Sequence, residues 1–237
     1  VQVAVGLGRK AGADFGGVGL TCGVVGGIAV RNDLHPFLVQ SHFLLAMLSI
    51  LFGLVAIHRA RPDEVTPRES IGVTPALSWL FVVLGALMAA ALTTGTVVTG
   101  AGPHAGDETA RRYGFDISTV AEIHSVTVWM SVSVFLVLVV ALRRDRNLFH
   151  RLSGHVSTWM FIAVVQGGIG YVQYFNDIPA TLVAAHVAGA TALWLVTVRF
   201  TLAALEPLAA HAPDADDVHA MEPAAEREIV LQAAPTA

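Results

Sequence analysis

Cysteine occurs once, at Cys22. An intrachain disulfide is therefore excluded, as is any metal site built on paired thiolates, and a metal centre would have to use histidine. Charge is also scarce: Asp, Glu, Lys and Arg make up 14% of the 237 residues, against about 25% in an ordinary soluble domain. The formal net charge is −4, and the acidic residues gather in connections and in the stretch from Glu206 to Glu228. No basic tract suits a nucleic acid. What fills the chain instead is apolar sequence, 54% of it, with a mean hydropathy of +0.65. That balance is expected of an integral membrane protein.

A helix needs about 20 predominantly apolar residues to cross the hydrocarbon. Six such runs occur, over roughly 13–31, 37–58, 77–99, 120–142, 156–175 and 180–203. The first is rich in glycine, which membrane helices use to let backbones approach closely. The expected fold class is an all-α polytopic transmembrane bundle of about six helices. Lys and Arg are retained on the cytoplasmic side. With odd-numbered helices running outward, the inner side holds Arg9, Lys10, Arg59, Arg61, Arg68, Arg143, Arg144, Arg146, Arg151 and Arg199, and the outer side only Arg31, Arg111 and Arg112. Both ends of the chain are thus expected inside, with 207–237, rich in Ala, Pro, Asp and Glu, forming a disordered cytoplasmic tail. Val1 is not a start methionine, and the residues after it lack the order of a signal peptide. The expectation is a fragment or a processed form.

A repeat lies inside the chain. Shifted by 144 residues, NDLHPFLVQSH (32–42) falls on NDIPATLVAAH (176–186), matching Asn, Asp, Leu, Val and His, and upstream Gly26 falls on Gly170. One hairpin of two helices joined by a short outer turn is therefore expected twice.

Ten histidines are present, and depth sorts them. His58, His150 and His155 sit among the inner-side arginines, where a solvated or interfacial role explains them. His211 and His219 belong to the tail, and His35 to an outer turn. His42, His124 and His186 fall inside helices at about 6 to 11 Å from the outer ends, counted at 1.5 Å per residue. Each needs a partner, because an unsatisfied polar group in a low-dielectric interior costs several kcal/mol. A hydrogen bond across helices satisfies any one of them; three at one level favour ligation. Zinc calls for three or four close ligands. Heme iron takes two axial imidazoles, and its flat apolar ring suits helices lined with small residues such as VAAHVAGATA. The outer loop GAGPHAGDETARR offers His104, Arg111 and Arg112 as cations for the propionates, or it is an ordinary turn. Glu122 reads as a carboxylate near the start of its helix, since two residues from His124 it faces away.

The segments GTVVTGAGPHAGD (95–107), AEIHSVTVWM (121–130) and QGGIGYVQYFNDIPATLVAAH (166–186) closely resemble the second half of the heme A synthase family. GGIAVRNDLHPFLVQSH (26–42) resembles the end of its first half. The resemblance runs through most of residues 20 to 203 and implies an eight-helix fold of two repeated four-helix halves, each with a histidine pair. It implies that His124 and His186 are the iron ligands of a heme b that transfers electrons. It further implies that His42 is one histidine of the catalytic half, where the ring methyl of heme O is oxidised through an alcohol to the formyl group of heme A. Residues 1–60 then end the first half, 61–76 form a cytoplasmic loop, and 77–206 form the heme b-binding half. Six helices correspond to family helices three to eight. The hairpin carrying the partner of His42 and the family's Glu-x-x-His element has no counterpart here, which leads to the expectation of a truncated form. Loop 102–119 also lacks the cysteine pair of some members. The implied enzyme is a heme A synthase-type oxidoreductase of the cell membrane. Its partners would be membrane lipids, heme O and heme A, heme O synthase or a quinol-linked electron donor, and no nucleic acid. Two other classes remain in view: a non-catalytic b-type membrane cytochrome, and a transporter built from repeated hairpins.

Overall fold

A computed structural model describes residues 2–60, 73–103 and 109–205, which belong to one compact unit. They form six α-helices and, among the described residues, no strand: α1 (Gln2–Arg31), α2 (Pro36–Ala60), α3 (Pro75–Ala101), α4 (Ile117–Leu142), α5 (Arg146–Phe175) and α6 (Ala180–Leu205). The expected all-α bundle is what the chain forms. Residues 61–72, most of the expected loop, and the expected tail 207–237 lie outside the described residues, as do His104, His211 and His219.

Among the described residues four helices, α2, α3, α4 and α6, are long and apolar enough to cross a membrane. The other two expected spans, 13–31 in α1 and 156–175 in α5, are helical as well. α5 begins at Arg146, ten residues ahead of the apolar run, because the Asp145 carboxylate caps it by accepting from the Leu148 N–H at 3.0 Å. Arg146, His150 and Arg151 are thereby drawn into the helix. α1 starts at Gln2 and takes in Arg9, Lys10 and Asp14.

Consecutive helices pair into hairpins, α1 with α2, α3 with α4 and α5 with α6, while α2, α3 and α6 meet one another at the centre. Large side chains weld the bundle. Phe135 of α4 stacks on Trp159 of α5 with centroids 3.8 Å apart, and Phe81 of α3 meets Phe200 of α6 edge-on at 4.9 Å. All four rings are buried. The two buried indole N–H groups are satisfied across helices: Trp159 donates to the Thr197 hydroxyl at 2.9 Å, and Trp194 donates to the Met47 carbonyl at 3.0 Å. Such contacts hold helices together where lipid is as apolar as leucine, since packing and hydrogen bonding then replace the hydrophobic drive. Phe161, Phe175 and Trp129 are more than half exposed on the outside, a surface matched to acyl chains rather than water.

The duplicated hairpin repeats down to single bonds. Asn32 donates through Nδ2 to the Ile28 carbonyl and Asn176 to the Val172 carbonyl, both at 2.7 Å. Leu34 N–H returns to the Ala29 carbonyl at 3.0 Å, and Ile178 N–H to Gln173 at 2.8 Å. Asp33 and Leu34 have φ of 50° and 51°, Asp177 and Ile178 of 58° and 54°. Two successive non-glycine residues in the left-handed region are uncommon, so the same costly turn made twice at the same register is evidence of one ancestral unit.

Candidate functional site: a facing histidine pair

His42, His124 and His186 each sit on a glycine of the preceding helix in their own hairpin. A Cβ added at Gly26 would lie 2.8 Å from His42 Cε1, one at Gly95 3.0 Å from His124 Cε1, and one at Gly170 3.2 Å from His186 Cε1. Only glycine lets the helices close this far over an imidazole. Sequence reasoning found the Gly26 and Gly170 correspondence without its purpose, and it missed Gly95, which lies in a hairpin outside the repeat.

The common level is sharper than expected. His42 follows Pro36, His124 follows Ile117 and His186 follows Ala180 by six, seven and six residues, about 9 to 10 Å along each axis. Sequence placed the start of α4 at 120, with Glu122 in its first turn. The helix begins at Ile117 instead, capped by the Asp116 carboxylate, which accepts from the Thr119 N–H at 2.9 Å. Bonds from the Ser118 hydroxyl and then from the Thr119 N–H hold that carboxylate below its ordinary value. Glu122 is exposed and one turn further in.

The fold brings two of the three histidines together. The His124 and His186 rings have centroids 6.4 Å apart and planes 83° to each other. Two imidazoles on opposite sides of one iron, each bonded at about 2.0–2.1 Å with about 1.1 Å more from nitrogen to ring centre, place their centroids about 6.3 Å apart. His124 Nδ1 lies 3.1 Å from the Thr94 hydroxyl oxygen, which itself lies 2.9 Å from the Ala90 carbonyl and 3.1 Å from the Thr127 hydroxyl. His186 Nδ1 is buried. α4 and α5 meet only sparsely, and the second and third hairpins meet chiefly through α3 and α6. Among the described residues no three of His, Cys, Asp and Glu converge as a metal-ion cluster. The residues present fit a heme.

His42 stands apart in the first hairpin. Its Nδ1 lies 2.9 Å from the Cys22 carbonyl oxygen and 3.4 Å from Cys22 Sγ. It opens on a groove of about 440 Å³ lined by Gly23, Gly26, Gly27 and Val39. The α3–α4 connection ties the first hairpin to the second. Tyr113 donates to Gln40 Oε1 at 2.7 Å, and Gln40 Nε2 donates to the Thr96 hydroxyl at 3.0 Å; burial pushes the Tyr113 phenol up. Arg112 donates to the Pro103 carbonyl at 2.7 Å, closing the loop, and Arg111 is exposed. His155 is half-buried and stacks on Phe200 with centroids 6.0 Å apart. Thr94, Gln40 and Tyr113 had no signal in the sequence, because their partners lie on other elements.

No protein-family model, curated protein or solved structure matches this chain.

Proposed function

We propose that His124 and His186 are the axial ligands of a b-type heme held between the second and third hairpins, and that this site carries electrons within a membrane. The observation that supports this most is the 6.4 Å separation of two rings whose Nδ1 atoms are bonded or buried. Bound there, heme supplies one-electron chemistry that no side chain can perform. The residues do the rest. Gly95 and Gly170 seat the rings, Thr94 meets His124 Nδ1, and the apolar helices keep water from the iron and so influence its potential. Arg111, Arg112 and His104, from the outer loop, are the proposed cations for the propionates.

By its resemblance to the heme A synthase family, the reaction served is oxidation of the heme O ring methyl to the formyl group of heme A, in a cell membrane. Heme O would be the substrate beside His42, and electrons would come from a quinol-linked donor. A second reading, a b-type cytochrome that only relays electrons, is favoured by one observation: among the described residues His42 has no histidine in ring contact.

The test is the chain purified in detergent and examined by reduced-minus-oxidised spectroscopy, with pigment extraction from the expressing cells. A low-spin b-type signal is expected in the parent and in His42→Ala, and none in the His124→Ala, His186→Ala double variant. A normal signal in the double variant refutes the assignment. Heme A in the extract separates synthase from relay.

A further inference from the structure

The end of α4 remote from His124 carries a charge pattern that the histidine pair does not use. Between Glu122 and Asp177 the chain has four arginines, Arg143, Arg144, Arg146 and Arg151, and a single carboxylate, Asp145. That carboxylate is spent on the backbone, capping α5 by accepting from the Leu148 N–H at 3.0 Å. Arg143, Arg144 and Arg146 are exposed. Three cations therefore crowd one turn whose acid is engaged elsewhere, and their repulsion falls when an anion joins them.

The length of α4 fixes where these arginines stand. The 20 residues from Ile123 to Leu142 include no Asp, Glu, Lys or Arg. At 1.5 Å per residue they span about 30 Å, the thickness of the hydrocarbon core, so the arginines begin where acyl chains end. Leu136 and Val140 on the same helix are 47% and 60% exposed. Leu136, Val140 and Arg143 stand at i, i+4 and i+7, which is one stripe of a helix. Arg143, the C-cap, keeps the helical path with φ −63° and ψ −14°. Its guanidinium carbon lies 5.5 Å from the centroid of the Phe149 ring on α5, a contact that holds the charge beside the turn.

We propose that the α4–α5 turn is a docking site for an anionic phospholipid, with its phosphate on Arg143, Arg144 and Arg146 and its acyl chains along Leu136 and Val140. The stripe commits the site to that occupant. It passes from exposed aliphatic side chains to arginine within one turn, as a lipid passes from chain to anionic head. A soluble anion would use the arginines and leave the aliphatic part bare, and an acidic protein would not follow that part into hydrocarbon. Arginine also meets phosphate with paired N–H donors, a geometry that outlasts mere attraction of charge. Such a site is distinct from lipid acting as a solvent, and it stands whether or not the histidine pair holds heme.

The test is native mass spectrometry of the full chain in detergent, titrated separately with phosphatidylglycerol and phosphatidylcholine of identical acyl chains. Each arginine at an anionic head contributes about fivefold in affinity, so three give a preference for phosphatidylglycerol of about 100-fold. Arg144→Gln should reduce that preference about fivefold, and the triple variant Arg143→Gln, Arg144→Gln, Arg146→Gln should abolish it. Arg59→Gln with Arg199→Gln, which removes two exposed arginines of α2 and α6, should leave it in place.

Equal affinity of the parent for the two lipids overturns the proposal, and that comparison needs no variant. A preference that survives the triple variant, or that the Arg59 and Arg199 changes remove, overturns it as well. If the triple variant does not fold, Arg143→Gln, Arg144→Gln and Arg146→Gln taken singly decide, and three unchanged preferences overturn the site. A last arm adds glycerol phosphate, a head without chains. Failure to displace phosphatidylglycerol at equal concentration supports a lipid, whereas displacement makes this a site for free anions and overturns the phospholipid.

Discussion

Replacing Gly95 with alanine adds one methyl group at a place where the structure leaves no room for it. The new carbon would stand 3.0 Å from His124 Cε1, where carbon atoms settle at about 3.5–4.0 Å. The imidazole or the α3–α4 spacing must yield by a few tenths of an ångström. A metal–ligand bond tolerates about 0.2 Å, so the displacement matters more to a ligand than to the fold. Overpacking costs about 1–3 kcal/mol, and alanine returns up to about 1 kcal/mol over glycine in a helix. The net loss of stability is therefore about 0–2 kcal/mol, a fall of no more than about 8 °C in melting temperature for a chain of this size. Heme retention should fall at least tenfold. The assay is thermal unfolding in detergent beside heme content by pyridine hemochrome. Gly170→Ala, at 3.2 Å from His186 Cε1, should show a smaller loss, and Gly168→Ala, with nothing within 4 Å of its added carbon, none. Gly26→Ala makes the tightest contact, 2.8 Å, yet should leave the b-type spectrum unchanged because His42 is outside the pair. Full heme retention in Gly95→Ala, or an equal loss in Gly168→Ala, refutes the reasoning.

Thr94→Val keeps the shape of the side chain and removes the oxygen that His124 Nδ1 meets at 3.1 Å; heme affinity should weaken about 10- to 100-fold, read by titrating heme into the heme-free variant. Asp116 has its folded pKa depressed below 3.8 by the Ser118 and Thr119 bonds, so the cap is fully present above that value and is lost as pH falls through the lower folded one. Protection of the Thr119 amide from hydrogen exchange should vanish over that acid window in the parent and be absent at all pH values in Asp116→Ala.

How much was legible depended on whether a residue acts within its own helix or across to another. The apolar runs mark α2, α3, α4 and α6 because crossing hydrocarbon requires uninterrupted length, and the repeated Asn-Asp and His mark two hairpins because both residues act locally, in the turn and one and a half turns beyond it. The start of α4 was missed because Glu122 drew the boundary inward, although Asp116 with Ser118 and Thr119 behind it is a capping arrangement readable from sequence. The lengthening of α5 was missed because Arg146, His150 and Arg151 look like loop residues until the Asp145 cap is recognised. The meeting of His124 with His186 follows from depth only in part: level was countable, while the rotation that turns the two rings toward each other is set by the Phe81, Phe135, Trp159 and Phe200 packing. Thr94 and Gly95 lie beyond sequence for the same reason, since their importance comes from what another helix carries past them.

Each histidine's glycine seat belongs to the same hairpin as the histidine it supports. A hairpin inserted into the membrane therefore carries its ligand already oriented, before any neighbour arrives. If the pair holds a heme as proposed, each half-site is complete within one hairpin, and assembly of the site reduces to the approach of two hairpins.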